Sequence, residues 1–132
     1  MIENEKDLDR KVMGLLKQKG NCYKVDTTVG YGFPDIYFVG EFACWIENKY
    51  VKNNRRVRFQ PNQPEWLVSN YEVAKTFILI YYEDSKNICL YEGYTANHLR
   101  NGYRLKPYKE YKPSDFNTLF YGDLHDLCTE PS

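Results

Sequence analysis

The run Phe77-Ile-Leu-Ile-Tyr-Tyr82 is the feature that most limits the possible folds of this chain. Six consecutive apolar or aromatic residues predict a buried strand, since a half-exposed strand alternates apolar and polar residues. The chain has 132 residues, of which 42% are hydrophobic, so it is long enough for one domain with a real core but not for two. We therefore expect a single domain over 1–132, with a core over about 5–93 and a C-terminal extension over 94–132.

Other patterns place further elements around this strand. Apolar residues from Leu8 to Leu16 recur at helical spacing, and Gly20 follows as a helix stop. Asn62 and Thr95 are predicted N-caps of two further helices. The predicted order is helix, three strands, helix, two strands and a short helix, over residues 5–19, 21–28, 35–39, 43–50, a second helix opening at Asn62, 75–82, 87–93 and 95–101. This order predicts an α/β (α+β) domain with a mixed central sheet flanked by helices, and it leaves residues 103–132 without an assignment.

Charge and composition argue against several classes of protein. The formal net charge is zero, so the overall charge does not mark a nucleic-acid binder. Because there is no run of 18 apolar residues and the acidic N-terminus lacks the features of a signal peptide, we expect neither a membrane span nor secretion. The four cysteines are far apart and form no Cys-x-x-Cys pair, which argues against structural zinc and for a reducing compartment. We expect a cytoplasmic protein of a bacterial or phage-infected cell.

Two carboxylates and a lysine form the most informative polar pattern. Asp35 begins one predicted strand, and Glu47 and Lys49 lie near the end of the next. On adjacent strands the carboxylates can converge into a hard oxygen site for Mg²⁺ or Mn²⁺. Lys49 lies two residues after Glu47 and therefore points to the same face. A metal beside a lysine suits hydrolysis of a phosphodiester, whereas the alternative interpretation is a surface salt bridge.

A basic segment follows the second carboxylate. Residues 49–58 carry five positive charges and no negative charge. Beyond Lys49 these are Lys52, Arg55, Arg56 and Arg58, which are candidate contacts to the phosphates of a nucleic acid. A solvated loop is the alternative interpretation.

The pattern resembles the PD-(D/E)xK nuclease superfamily over about residues 5–82. The match rests on Pro34-Asp35, on Glu47-Asn48-Lys49 and on the element order αβββαβ. Gly32-Phe33-Pro34-Asp35-Ile36 is similar to the signature of virus-type replication–repair nuclease (VRR-NUC) domains, and Gln63-Pro64-Glu65-Trp66-Leu67 is similar to the opening of their second core helix. The stretch from Lys49 to Gln63 departs from that subfamily, because Asn53-Asn54-Arg55-Arg56 stands where a glycine–serine segment is expected.

The resemblance implies a restriction-endonuclease-like core and a role for each site residue. Asp35 and Glu47 are the implied ligands of Mg²⁺ or Mn²⁺, with the Asn48 carbonyl as a further oxygen ligand. An acid on the first helix often completes the metal shell in this family, and alignment of the helix ends with Holliday-junction resolvases puts Asp9 at that position. Glu5, one turn earlier, is the alternate.

The same resemblance assigns the remaining roles. Lys49 orients the attacking water or neutralises charge on the phosphate, and Gln63 lies near the metal and helps place the phosphate. The implied substrate is branched or otherwise structured DNA, in the manner of Holliday-junction resolvases, and cutting of opposed strands implies a homodimer. The alternatives are a catalytically silent nucleic-acid- or protein-binding module on the same fold, and a nuclease directed at RNA.

Overall fold

The computed structural model describes residues 1–26, 30–53 and 55–130. These residues form one six-stranded sheet in the order β1-β2-β3-β4-β5-β6. Its strands are β1 (Asn21–Lys24), β2 (Ile36–Val39), β3 (Ala43–Val51), β4 (Thr76–Tyr82), β5 (Asn87–Glu92) and β6 (Lys109–Tyr111). The β3–β4 pair is parallel and the other neighbouring pairs are antiparallel. The structure therefore confirms a mixed α/β architecture with a mixed central sheet.

Helices cover both faces of this sheet. They are α1 (Glu5–Leu16), α2 (Gln63–Ala74), α3 (Ala96–Arg100) and α4 (Pro113–Thr129), with a 3₁₀ turn over Gly93–Thr95 before α3. The helix α2 connects the parallel strands β3 and β4, as a crossover between parallel strands requires. In the part of the chain described here, no helix is both long enough and apolar enough to cross a membrane.

The central strand β4 divides two hydrophobic cores. Every residue of β4 is buried, which confirms the buried strand predicted from the run 77–82. Successive side chains of a strand point to opposite faces, so Phe77 and Leu79 pack with α1 and α4 while Ile78 and Ile80 pack with α2 and α3. The second core also includes Val57, which anchors the basic segment.

The C-terminal extension contributes a strand and a helix that the sequence analysis left unassigned. Strand β6 pairs with β5 at the edge of the sheet, where Ile88 faces Tyr111. Helix α4 lays Phe116, Phe120 and Leu124 onto the core on the α1 side, and all three are fully buried. The phenyl rings of Phe116 and Phe120 stack with their centroids 4.4 Å apart. Residues 94–130 thus supply one edge of the sheet and part of both cores.

Asn62 and Thr95 occupy the predicted N-cap positions, but neither side chain caps its helix. Asn62 precedes α2 but has a left-handed backbone (φ 72°) and makes no side-chain capping bond; its amide instead donates to the carbonyl of Gly30 over 2.8 Å. The hydroxyl of Thr95 donates to the carbonyl of Glu92 and does not cap α3. In each case a bond to a preceding segment replaces the local cap.

Two predicted boundaries also differ from the structure. Helix α1 ends at Leu16 and not at residue 19. Gly20 matters for close packing, because a Cβ there would lie 2.5 Å from the backbone oxygen of Val39. Strand β1 ends at Lys24, while residues 27–28 of the predicted strand lie outside the described residues, as does residue 54 of the basic segment.

Candidate functional site

The site forms where β3 extends beyond the end of β2. The β2–β3 ladder begins at Ile36 opposite Ile46, so the residues of β3 after Ile46 have no partner in β2. Asp35 lies immediately before β2, and its backbone N–H donates to Oε1 of Glu47 over 3.1 Å. In return Oδ2 of Asp35 accepts the backbone N–H of Asn48 over 3.3 Å. The structure therefore brings Asp35 and Glu47 together at the end of the shorter strand.

A third carboxylate joins this pair from the first turn of α1. Oxygen atoms of Glu5, Asp35 and Glu47 all lie within 4.8 Å of one another. Glu47 is almost fully buried, at 1% exposure, and Asp35 is buried as well. Three carboxylates of this kind offer oxygen ligands only, a donor set that suits hard divalent cations in general.

Asp9 is not one of the three carboxylates whose oxygens lie within 4.8 Å of one another. Its carboxylate binds the ammonium of Lys24 and accepts the side-chain amide of Asn48 over 2.7 Å. Lys24 also lies 3.9 Å from Oδ1 of Asp35. Glu5, the alternate, is therefore the acid of α1 within the carboxylate cluster, whereas Asp9 binds Lys24 and Asn48.

Asn48 presents two carbonyl groups with different surroundings. Its backbone N–H donates to Asp35. Because the backbone N–H and carbonyl of a strand residue point to the same edge of the strand, the backbone carbonyl of Asn48 also lies on the side of the carboxylate cluster. The side chain turns toward α1, where Oδ1 is buried and lacks a hydrogen-bond partner among the described residues. The backbone oxygen thus fits the predicted role of a further ligand.

Lys49 and Gln63 complete the polar network on the other side of Glu47. Nζ of Lys49 lies 3.0 Å from Oε2 of Glu47 and 3.3 Å from Oε1 of Gln63. Nε2 of Gln63 donates to Oε1 of Glu47 over 3.1 Å and to the carbonyl of Phe33 over 3.4 Å. Gln63 therefore fixes both the carboxylate and the ammonium, a connection for which the sequence offered only the family resemblance.

The cluster raises the pKa values of its own carboxyl groups. Burial raises the pKa of Glu47 to about 8, although Lys49 acts in the opposite direction. Burial likewise raises the pKa of Glu5 to about 7, again against Lys49 and with help from the charge of Asp35. Burial also raises the pKa of Asp35, a shift that Lys24 limits. Protons thus occupy part of the cluster at neutral pH, and a divalent cation would displace them.

The basic segment lines a cleft that opens beside this cluster. A cavity of about 270 Å³ is bordered by Glu5 and Lys49 together with Tyr50, Val51, Lys52, Arg55, Arg56 and Arg58. A neighbouring cavity of about 530 Å³ is lined by Arg55, Arg56, Val57, Arg58, Phe59 and Arg100. The predicted phosphate contacts are therefore adjacent to the carboxylates, and we call these two cavities the arginine cleft.

The three arginines of the basic segment differ from the other arginines of the chain in their partners. Arg10, Arg100 and Arg104 each form an ion pair with a carboxylate, at 3.2, 2.9 and 2.9 Å. Within the described ranges, the arginines at 55, 56 and 58 form none. Their guanidinium groups are thus available to an anion from outside the protein.

Lys24 is the site residue that sequence reasoning missed. It lies at the end of β1, directly opposite Ile36, the residue after Asp35. Only the pairing register of β1 with β2 shows that this lysine reaches Asp9 and Asp35.

Comparison of the chain with models of known protein families, with curated proteins and with solved structures finds no match. We therefore infer the function from the chemistry of the site itself.

Proposed function

We propose that the protein is a metal-dependent endonuclease that hydrolyses phosphodiester bonds in branched or structured DNA. The observation that carries this proposal is the cluster of Glu5, Asp35 and Glu47, whose oxygens lie within 4.8 Å of one another, with Nζ of Lys49 3.0 Å from Glu47. The arginine cleft begins at the same residues. A cation site, a lysine and unpaired arginines in one place are what cleavage of a polyanion requires.

We also propose a specific fold for the domain, the restriction-endonuclease-like fold. A helix, three antiparallel strands, a crossover helix and a parallel fourth strand make up the order αβββαβ. This order, with Asp35 before β2 and Glu47 and Lys49 in β3, supports a restriction-endonuclease-like core of the PD-(D/E)xK type.

Each residue of the cluster has a defined task in this chemistry. The carboxylates of Glu5, Asp35 and Glu47 and the backbone carbonyl of Asn48 would hold Mg²⁺ or Mn²⁺, which supplies an activated water and charge neutralisation at phosphorus. Lys49, whose Nζ lies 3.0 Å from Oε2 of Glu47, stabilises the negative charge that develops on the phosphate oxygens. Gln63 is a positioning residue, because it bonds to both Lys49 and Glu47.

The cleft supports DNA as the substrate through phosphate contacts. Lys52 and the three unpaired arginines contact the backbone without reading bases, so the shape of the DNA decides where the enzyme binds. Cutting of two opposed strands needs two sites, which a homodimer supplies. We place this activity in the cytoplasm, where the four free cysteines remain reduced.

Cleavage of labelled DNA tests this proposal. Wild type and the Lys49→Met variant are incubated with four-way junction, flap, single-stranded and linear duplex DNA and with RNA, in Mg²⁺, Mn²⁺ or EDTA. We expect metal-dependent cutting that falls by about 10²–10³ in the variant. Lys17→Met is the matched control, since Lys17 is exposed at the opposite end of α1 from Glu5. Folded wild-type protein that cuts none of these substrates with either metal would contradict the proposal and favour a silent binding module.

A further inference from the structure

Six aromatic side chains form a connected group outside both hydrophobic cores. We call this group the aromatic patch; it consists of Tyr23, Tyr31, Phe33, Tyr37, Trp45 and Trp66. Tyr23 is 54% exposed and Tyr31 is 68% exposed, while the other four are half-buried. Large aromatic rings that are neither buried in a core nor scattered singly mark a binding surface.

The register of three strands builds a row within this patch. Tyr23 lies opposite Tyr37 in the β1–β2 ladder, and Tyr37 lies opposite Trp45 in the β2–β3 ladder. Residues directly opposite each other share a face of the sheet, and the ring centroids of these two pairs are 6.5 and 4.6 Å apart. Trp66 on α2 closes the row at 5.1 Å from Trp45.

This row leads directly to the carboxylate cluster. Trp45, Glu47 and Lys49 alternate along β3 and therefore lie on one face, about 7 Å apart at each step. Phe33 precedes Asp35 by two residues, and its carbonyl accepts a hydrogen bond from Gln63. The arginine cleft begins at Lys49 on the far side. The cluster thus lies between a surface of aromatic rings and a surface of unpaired cations.

We infer that the aromatic patch stacks the unpaired bases of a nucleic-acid strand whose phosphates enter the arginine cleft. The inference rests on the proposed nuclease function and narrows its substrate class to nucleic acid that is single-stranded on one side of the cleaved bond. Aromatic side chains bind bases of any sequence through their π-faces, which a base-paired duplex keeps covered by its own stacking. The arginines complement the charge of the same strand.

Tryptophan fluorescence reports on this surface directly, because Trp45 and Trp66 are the only two tryptophans of the chain. The protein is titrated with a single-stranded oligothymidylate, with a blunt duplex and with a flap, once with Ca²⁺ in place of Mg²⁺ and once with EDTA. We expect quenching by the single strand and the flap and much less by the duplex. Tyr37→Leu removes a stacking ring but keeps an apolar side chain, so it should raise Kd for the single strand about tenfold or more.

Tyr108→Leu is the matched control. Tyr108 is 41% exposed and hydrogen bonds to β5 near the opposite edge of the sheet, so its loss should leave Kd unchanged. Equal Kd and equal quenching for duplex and single strand would overturn the inference, as would a Tyr37→Leu variant that binds like wild type. A third outcome would also overturn it: light scattering shows that Tyr37→Leu converts a dimer to a monomer, and the single strand does not quench the fluorescence. The aromatic patch would then be a dimer interface. Binding is measured here without cleavage, so the two proposals can fail separately. If single-stranded DNA quenches the fluorescence of a protein that cuts no substrate, only the proposed nuclease function is refuted. If the protein cuts DNA and Tyr37→Leu does not change the cleavage rate, only the proposed stacking surface is refuted.

Discussion

Replacement of Glu47 by glutamine should stabilise the protein at alkaline pH while it removes a ligand of the proposed metal site. Burial raises the pKa of this carboxyl from 4.5 to about 8. The folded state therefore binds the proton more tightly than the unfolded state does. Between pH 4.5 and 8 the unfolded chain has lost the proton that the folded protein still holds, so stability falls as the pH rises through this window. Glutamine is neutral at every pH and does not carry this penalty.

The magnitude follows from the two pKa values, which differ by about 3.5. At about 1.4 kcal/mol for each pH unit, burial of Glu47 costs about 2 kcal/mol at pH 6 and about 4 kcal/mol at pH 8 relative to a neutral side chain. The glutamine oxygen can still accept from the N–H of Asp35 and from Gln63, but the amide N–H₂ takes the place of Oε2 beside Nζ of Lys49, so two donors face each other and part of the gain is lost. We therefore expect a net gain of about 2 kcal/mol at pH 8 and none at pH 4.5.

Urea unfolding of wild type and Glu47→Gln at pH 5, 6 and 8, in EDTA and in Mg²⁺, measures this difference. Glu72→Gln, an exposed change on α2, is the control and should be neutral at each pH. Mg²⁺ should stabilise the wild type at pH 8 and not Glu47→Gln, since only a ligand bound by the folded state adds stability. A variant less stable than wild type at pH 8 in EDTA would refute the reasoning.

Three further predictions concern single residues. Glu5→Gln should lower the cleavage rate more than Asp9→Asn, because only Glu5 lies in the carboxylate cluster; the reverse order would place the ligand at Asp9. Arg55→Gln should weaken DNA binding and reduce the slope of log K against log salt by about 0.7–0.9, and an unchanged slope would exclude a phosphate contact. Gly93→Ala should destabilise the fold by about 1–3 kcal/mol in urea unfolding, because its Cβ would lie 1.9 Å from Oγ1 of Thr76; unchanged stability would contradict this packing.

Features set by local pattern could be predicted from the sequence. The buried strand at 77–82 follows from a continuous apolar run, and it lies at the centre of the sheet. The proximity of Asp35 and Glu47 follows from their positions at the ends of neighbouring strands, and the structure places them one hydrogen bond apart. The side-chain period of two likewise puts Lys49 beside Glu47.

Features set by tertiary geometry could not be predicted in this way. The rotation of α1 against the sheet decides that Glu5, and not Asp9, joins the cluster, and both acids lie on one face of the helix. Asn62 is of a residue type that often caps helices, but its side-chain amide donates to the carbonyl of Gly30, which belongs to a distant segment. Helix α4 has apolar residues at a spacing of four, yet only its packing on α1 and the sheet explains why Phe116 and Phe120 are buried.

The most direct test of the proposed cation site is an anomalous difference map from crystals soaked in Mn²⁺. We expect a peak about 2.0–2.5 Å from carboxylate oxygens of Glu5, Asp35 and Glu47, in wild type but not in Glu47→Gln. A saturating soak that leaves these three carboxylates without a peak, or a peak that persists in Glu47→Gln, would contradict it.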